Sequence, residues 1–591
     1  MSIIAQLQQS TISSLSALFG QNFTEKDFQV NQTKPEFEGD YTVVLFSLVK
    51  SLKLSPDDIG NKLGAHLTGH YPQLFTKYNI IKGFLNLTVA DAYWQSVVQQ
   101  NHADVCFGKK AMNGQKVMVE YSSPNTNKPL HLGHLRNNFL GWSVAEIFKA
   151  NGYDVIKTCI VNDRGIHICK SMIAWQLFGN GDTPQSTGTK GDHFVGDYYV
   201  KFNDAYKAQV EKLKAEGLKQ ADAEKEAPIM KATQQMLLDW EAGKPEVMEL
   251  WKTMNGWVYE GFDITYKNIG SDFEKTYYES NTYLLGKKTV EEGLAKGVFY
   301  QEADSSVWID LEKDGLDKKI VQRKDGTSVY ITQDIGLAMQ KYEEYKIDQS
   351  IYVIGDEQNY HMKVLKLICQ KLGLPYADAI YHLSYGMVEL PTGKMKSREG
   401  TVVDADDIVE EMEKEARQKT EELGKVKDFT ADELKELYHT IGLGALKFFL
   451  LRVDPKKKMI FNPEDSIDFH GFTGPFIQFN HARIKSILRK EGAIGQWSLG
   501  EGFAPLEKEL IVALEQYPVI LEQAATEMNP SAIAIYIYNI AKTFSSFYTE
   551  HSIANAETAD KKNLRLQLAS MTANVIKSGM QLLGIAVPER M

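Results

Sequence analysis

The chain has 591 residues, 43% of them hydrophobic and 24% charged, with a net charge of -11. That length calls for two to four domains with a large core, and the composition excludes a disordered chain. The acidic balance argues against a protein coated for nonspecific nucleic-acid binding, because phosphate rewards Lys and Arg.

Charge is uneven, however. From Ile441 to Met591, 16 Lys/Arg stand against 15 Asp/Glu, so the last quarter can carry a locally basic surface. No apolar run approaches the roughly 20 residues that span a bilayer, and the first residues lack a basic leader with an apolar core, so a cytoplasmic location is expected. Cys106, Cys159, Cys169 and Cys369 are too scattered for a disulfide framework or a zinc site and read as buried or incidental thiols.

Residues 1–111 mix helix and strand signals. Ser55-Pro56-Asp57-Asp58 opens a helix, "GFLNLTV" alternates as a strand, and a helix follows in "ADAYWQSVV". A small α+β domain is predicted there. Residues 112–404 alternate apolar strands with helices: "KVMVEYSS", a helix through "LRNNFLGWSVAEIFKANG", "DVIKTCIVND" and a helix through "GIHICKSMIAWQLFG". This rhythm predicts βαβ crossovers in a Rossmann-like parallel sheet, hence an α/β class overall.

About residues 180–256 a Gly/Asp/Thr loop and a charged stretch, "YKAQVEKLKAEGLKQADAEKEAPIMKATQQMLLDWEAG", interrupt the rhythm as an insertion. It reads as a solvated helix or a partner-binding arm. The alternation resumes with a hairpin at Lys324-Asp325-Gly326, a strand in "SVYIT", a helix from about Asp334, a strand in "SIYVIG", a helix through "HMKVLKLICQKLG" and a strand in "AIYHLSYGMVEL". Residues 405–591 carry only long helical patterns and predict a bundle.

Two constellations carry chemistry. "HLGH" follows the first strand of the α/β domain, where backbone amides and a helix dipole can meet phosphate. His131 and His134 are three apart, Gly133 lets a flat group approach the backbone, and paired imidazoles can donate to an α-phosphate as its charge grows. Alone, H-x-G-H equally suits two histidines that cap or pack a helix start. The second constellation, "TGKMKSREGTVV", places Lys394, Lys396 and Arg398 on a polar loop after a strand, where cations can meet a leaving pyrophosphate; a merely solvated basic loop is the alternative.

With both on the two halves of one domain, the chain resembles the class I aminoacyl-tRNA synthetases, whose marks are a "HIGH" element and a "KMSKS" loop. "VEYSSPNTNKPLHLGHLRNN", "VNDRGIHICKSM", "VYITQDIGLAMQKY" and "GIAVPERM" are similar to the arginyl-tRNA synthetases in particular, over nearly the whole chain except the insertion.

The resemblance implies an arginine–tRNA ligase that joins L-arginine to ATP, releases pyrophosphate and passes the arginyl group to the terminal adenosine of tRNA(Arg), with attack by the 2′-hydroxyl and activation that waits for tRNA. It implies that Ser123 and Asn125 contact the amino and carboxylate ends of arginine, that Tyr330, Asp334, Gln358 and Glu120 line the guanidinium pocket, and that His131, Gly133, His134, Met387, Val388 and Lys394 hold ATP. A planar guanidinium suits a bidentate carboxylate with an aromatic or amide wall. Where the loop usually has its second lysine stands Ser397, and Lys128, just before "HLGH", is expected to supply the missing charge.

Residues 1–111 then become a tRNA-binding domain and 405–591 an anticodon-binding bundle, with Phe476, Phe479, His481, Arg483, Tyr536, Tyr538 and Met591 as candidate tRNA contacts; core packing is the alternative for the two tyrosines. Mg2+ is expected with ATP, though no protein ligand for it can be named; no resident metal or tightly bound cofactor, no membrane partner and a monomer are also expected. A small nucleotidyltransferase and a nonenzymatic tRNA-binding relative remain as rivals.

Overall fold

The computed structural model describes residues 2–34, 36–389, 403–422, 424, 428–500 and 502–591. In the N-terminal part, β1 (Gln29–Gln32), β2 (Tyr41–Val44), β3 (Phe75–Ile81) and β4 (Phe84–Val89) form an antiparallel sheet in the order β1-β2-β4-β3. Helices Ile3–Phe19 and Pro56–His70 are its companions. Ser55 caps the second by accepting from Asp58 N at 3.1 Å, which places Pro56 where its missing N–H costs nothing.

The central sheet is wholly parallel. It contains β5 (Lys116–Glu120), β6 (Asp154–Val161), β7 (Lys275–Tyr278), β11 (Gln349–Gly355) and β12 (Ile380–Tyr385), in the order β12-β11-β5-β6-β7. The chain leaves β5 toward β6 and β7 and then returns to the other side, so the strand order reverses beside β5. In such sheets the crevice outside the carboxyl ends at that point takes the ligand. Helix Leu132–Ala150 packs on β5, and Gly141 lies so close to Tyr121 that an added Cβ would fall 2.4 Å from the tyrosine Cβ.

Between β7 and β11 a smaller antiparallel sheet, β8 (Tyr300–Gln301), β9 (Val307–Ile309) and β10 (Lys319–Gln322), has its own core of Val290, Phe299, Val307, Ile309, Val321, Ile335 and Leu365. The short strands β13 (Val388–Glu389) and β14 (Met459–Ile460) pair in parallel and stitch the sheet domain to residues beyond it. The C-terminal part is a bundle built on helices Ala431–Leu451, Gly474–Glu491, Pro505–Glu515, Tyr517–Glu527, Pro530–Glu550 and Ala559–Leu582. The N-terminal part rests on it through buried Glu515, whose Oε1 accepts from Ile3 N at 2.6 Å and from Tyr93 Oη at 2.9 Å.

Two sequence expectations need correction. "SVYIT" is no strand: the helix begins at Tyr330 and runs to Tyr345, because Thr332 Oγ1 donates to Val321 O and Ile331 and Ile335 face the small sheet's core. The insertion is not simply a solvated helix: most of residues 206–243 is exposed, but its helices also bury an apolar row. Helices Gly191–Ala215, Pro228–Glu241 and Pro245–Ile269 bury Phe194, Tyr198, Phe202, Met236, Trp240 and Phe262, and they pack on Ile166–Phe178. Cys159, Cys169 and Cys369 are buried, Cys106 is exposed, and all four are free thiols.

Candidate active site

The turn between β5 and helix Leu132–Ala150 is held by the residues that follow it. Ser122 sits at φ 58°, a conformation costly for a residue with a side chain, and its N–H donates to Asn137 Oδ1 at 2.6 Å. Asn138 Nδ2 donates to Ser122 Oγ at 3.1 Å, and Asn137 Nδ2 donates to Val353 O of β11 at 2.7 Å. Asn162, just past β6, completes the frame: its N donates to Pro124 O and its carbonyl accepts from Thr126 N. Ser123 and Asn125 are thereby left exposed on a fixed turn at the carboxyl edge of the sheet.

His131 is the N-cap of the helix that follows. Its Nδ1 accepts from Gly133 N at 3.1 Å, while His134 Nδ1 accepts from His131 N at 3.1 Å, and the two rings lie 3.9 Å apart. Gly133 leaves room for the ring: a Cβ there would lie 3.0 Å from His131 Cε1, so the imidazole would have to give by a few tenths of an ångström. Burial, helped by the nearby Lys128 charge, pushes the His131 imidazole down to about 3 and, with His131 added, His134 well below its ordinary range. Both rings are therefore neutral at pH 7. With each Nδ1 accepting, the proton of each ring is on Nε2, so the pair presents two Nε2–H donors.

Lys128 is half-buried and, with His131, His193 and Asp404, lines a 220 Å³ cavity. Met387 is half-buried near Gly355, and its carbonyl accepts from Met459 N at 3.2 Å; the Val388 side chain is buried, leaving only its backbone for a ligand. Lys394, with Lys396 and Arg398, lies outside the described residues.

Asp334 lies on the first turns of helix Tyr330–Tyr345, half-buried, with Oδ2 2.6 Å from His361 Nε2. Tyr330 is exposed at the helix start, and Gln358 is exposed in the turn after β11. Glu120 is buried and accepts from Lys341 Nζ, which also lies 4.5 Å from the Tyr352 ring centre. Burial opposes the Lys341 charge, and Glu120 and Tyr352 more than restore it. Asp334 bears electrostatically on Lys341, and also on Glu279 after β7, whose carboxyl burial pushes up to about 7 against the pull of Arg164.

Sequence reasoning missed Lys341, Glu279, Asn137 and Asn162. Lys341 had a signal, since it lies seven residues beyond Asp334 on the same helix face.

In the bundle, Phe479, Arg483 and Met591 meet in a cavity of 1170 Å³ together with Arg489, Lys490 and Arg590. Phe476 instead packs on Tyr538, their ring centres 5.4 Å apart. His481 is buried, with Nδ1 3.0 Å from Pro588 O, so it anchors the C-terminal tail and cannot present its ring to a base. Tyr536 is spent inside, donating to Ala513 O at 2.7 Å.

Among the described residues one group could hold a metal: Asp192, His193 and Asp406 have ligand atoms within 4.8 Å of one another. Lys190 Nζ already bridges the two carboxylates, at 3.0 and 2.6 Å. No helix is long and apolar enough to cross a membrane, among the residues described.

Comparison with known proteins places these features in a family. Residues 96–462 match the family model described as tRNA synthetases class I (R), catalytic domain; residues 477–591 match the DALR anticodon binding domain; and residues 4–89 match the arginyl tRNA synthetase N terminal domain. Arginine–tRNA ligases of Flavobacterium psychrophilum and Bacteroides fragilis are 52% and 50% identical, each alignment covering 100% of both chains. The solved structure of Thermus thermophilus arginyl-tRNA synthetase aligns with a TM-score of 0.79 at 22% identity, over 99% of this chain and all of that one. The Plasmodium falciparum enzyme aligns at 0.76 and 18%, over 100% of both. These two likenesses concern the fold.

Proposed function

The chain belongs to the arginyl-tRNA synthetase family and is an arginine–tRNA ligase that uses ATP, and from that premise we propose how its residues divide the work. The carboxylate of arginine attacks the α-phosphorus, a P–O bond forms as the bond to pyrophosphate breaks, and the 2′-hydroxyl of the terminal adenosine of tRNA(Arg) then takes the arginyl group, releasing AMP. No covalent intermediate with the enzyme is needed; positioning and charge stabilisation carry the reaction.

The observation that carries this reading is the neutral pair of imidazoles. Two Nε2–H donors at a helix start, locked by Gly133 N and His131 N, suit the oxygens of an α-phosphate that gains charge as it is attacked. Lys128 supplies the cation beside them, and Lys394 a second positive charge for the phosphates. Ser123 and Asn125 take the arginine main-chain ends. Asp334, with Tyr330 and Gln358 as walls, takes the guanidinium, and Glu120 contributes through its ion pair with Lys341 rather than as a free carboxylate. Met387 and Val388 meet the nucleotide through their backbone. Mg2+ would accompany ATP and would supply further positive charge to its phosphates.

We also propose that the domains divide after residues 111 and 404, that the 1170 Å³ cavity receives anticodon bases through Phe479, Arg483 and Met591, and that the protein is a cytoplasmic monomer. The test is exchange of labelled pyrophosphate into ATP on addition of arginine, with and without tRNA(Arg). Exchange that requires arginine supports the reading. Its absence with both present overturns it.

A further inference from the structure

The insertion reaches the nucleotide end of the site by two routes. Gly196 of helix Gly191–Ala215 packs on Pro129, where an added Cβ would fall 2.8 Å from Pro129 Cδ. The second route is ionic. Lys190 Nζ donates to Asp406 Oδ2 at 2.6 Å, to Thr265 Oγ1 at 2.6 Å and to Asp192 Oδ2 at 3.0 Å; Thr265 Oγ1 in turn donates to Asp406 Oδ1 at 3.0 Å. His193 Nε2 lies 3.1 Å from Asp406 Oδ2 and 3.5 Å from Asp404 Oδ2. Two insertion helices thus converge, through Lys190, His193 and Thr265, on a pair of carboxylates at the start of helix Ala405–Glu422.

Those carboxylates belong to a stretch paired with the histidine element. Leu132 N donates to Val403 O at 3.2 Å, Ala405 N donates to Leu130 O at 3.0 Å, and His131 faces Asp404 in an antiparallel bridge between the two bonds. Asp406 N also donates to Asp404 Oδ1 at 2.8 Å, which locks the two acids together. The backbone of His131 is therefore clamped by a segment whose own position is set by the insertion.

We propose that the insertion is a brace for nucleotide binding, with Lys190 and His193 as positioning residues that act on His131 through Asp404, Asp406 and the paired Val403–Ala405 stretch. The charges are arranged for it. A hydrogen bond to Asp406 holds the His193 imidazole above its ordinary range against burial. Burial works against the Asp406 charge, yet His193 and Lys190 bring its carboxyl down to about 2. The cluster is half-buried, so its ion pairs are less screened than surface pairs, and removing Lys190 would leave two carboxylates facing each other. The inference rests on the reading that His131 and His134 meet ATP.

The test is steady-state arginine- and tRNA-dependent pyrophosphate exchange on the full-length enzyme carrying Lys190→Met, Lys190→Arg or His193→Gln, with His131→Ala as reference. Lys190→Met is expected to lower kcat/KM for ATP at least tenfold while the KM for arginine and the Kd for tRNA stay within twofold, and Lys190→Arg is expected to recover most of the loss. Folded Lys190→Met with ATP parameters within twofold of wild type overturns the proposal. So does an equal loss for ATP and arginine that Lys190→Arg does not recover. Should Lys190→Met fail to fold, His193→Gln, whose ring is 30% exposed, takes its place, with an expected threefold or greater loss in kcat/KM for ATP; an unchanged value in folded protein overturns the idea. If His131→Ala itself leaves ATP kinetics unchanged, the reading of the histidine pair fails instead.

Discussion

Lys447 donates from Nζ to the main-chain carbonyl of Gly584 at 2.7 Å, deep between the sheet domain and the C-terminal tail. Its ammonium lies 5.2 Å from the Phe139 ring centre and 5.9 Å from that of Trp142, and nearby Ser143 Oγ donates to Leu582 O at 2.7 Å. The end of the last bundle helix is thus pinned to the helix that begins with the histidine pair. Burial, with no carboxylate partner among the described residues, brings the Lys447 ammonium down to about 7.

That depression makes stability depend on pH. Between about 7 and the ordinary lysine value the unfolded chain holds a proton that the folded chain has released, so folding stability rises with pH across that window. Below about 7 both states are protonated and the cost of the buried charge is fully present. Lys447→Met is expected to flatten the rise in Tm between pH 6.5 and 9, measured by differential scanning fluorimetry. An unchanged slope would refute the assignment.

The histidine pair should show no titration of its own near neutrality. Since burial holds both imidazoles far below their usual range, kcat for pyrophosphate exchange is expected to have no inflection between pH 6 and 8 that His131→Asn removes. His131→Ala and His134→Ala should each lower kcat by about 10²–10³, as loss of a preorganised donor does. Gly133→Ala should act like a weaker His131 variant by tilting the ring.

Lys341→Met would strand Glu120 as a buried, unpaired carboxylate, at an expected cost of about 3–5 kcal/mol in folding stability. The double variant with Glu120→Gln should recover most of that stability in urea titrations while the KM for arginine stays raised at least fivefold. Recovery of arginine binding along with stability would show that the pair is only structural.

Lys128→Ala is expected to slow adenylate formation, read as kcat for exchange, at least tenfold, while the KM for arginine changes less than twofold. If exchange keeps its rate, another cation supplies the charge that Ser397 leaves missing from the loop.

The parallel sheet, the histidine element and the helical tail were all readable because each rests on local signals: apolar strands closed by turn residues, a helix start and 3.6-residue periodicity. "SVYIT" misled for the same reason. Its β-branched residues favour a strand, but Thr332 reaches Val321 and the small sheet's core takes Ile331 and Ile335, so tertiary packing overrides propensity. The charged insertion looked solvated because charges dominate the stretch from Tyr206, whereas the anchoring row Phe194, Tyr198 and Phe202 lies just before it. His481 looked like a base contact from its place in the tail helix. Its burial depends on Pro588, over a hundred residues later. The pairs Glu120–Lys341 and Lys447–Gly584 share this remoteness, and no periodicity reports which distant group meets a buried ammonium.

Glu515 gives the architecture a practical consequence for dissecting the enzyme. Its buried carboxylate takes donors from Ile3 and Tyr93, both in the first hundred residues, and burial raises its proton affinity even with them in place. A truncated protein beginning at the central sheet would therefore carry an acid in a newly opened apolar seam with two of its donors gone. The first domain is thus less a detachable adaptor than part of the bundle's wall, and a loss of tRNA charging on its deletion would report a damaged bundle as much as a lost tRNA contact.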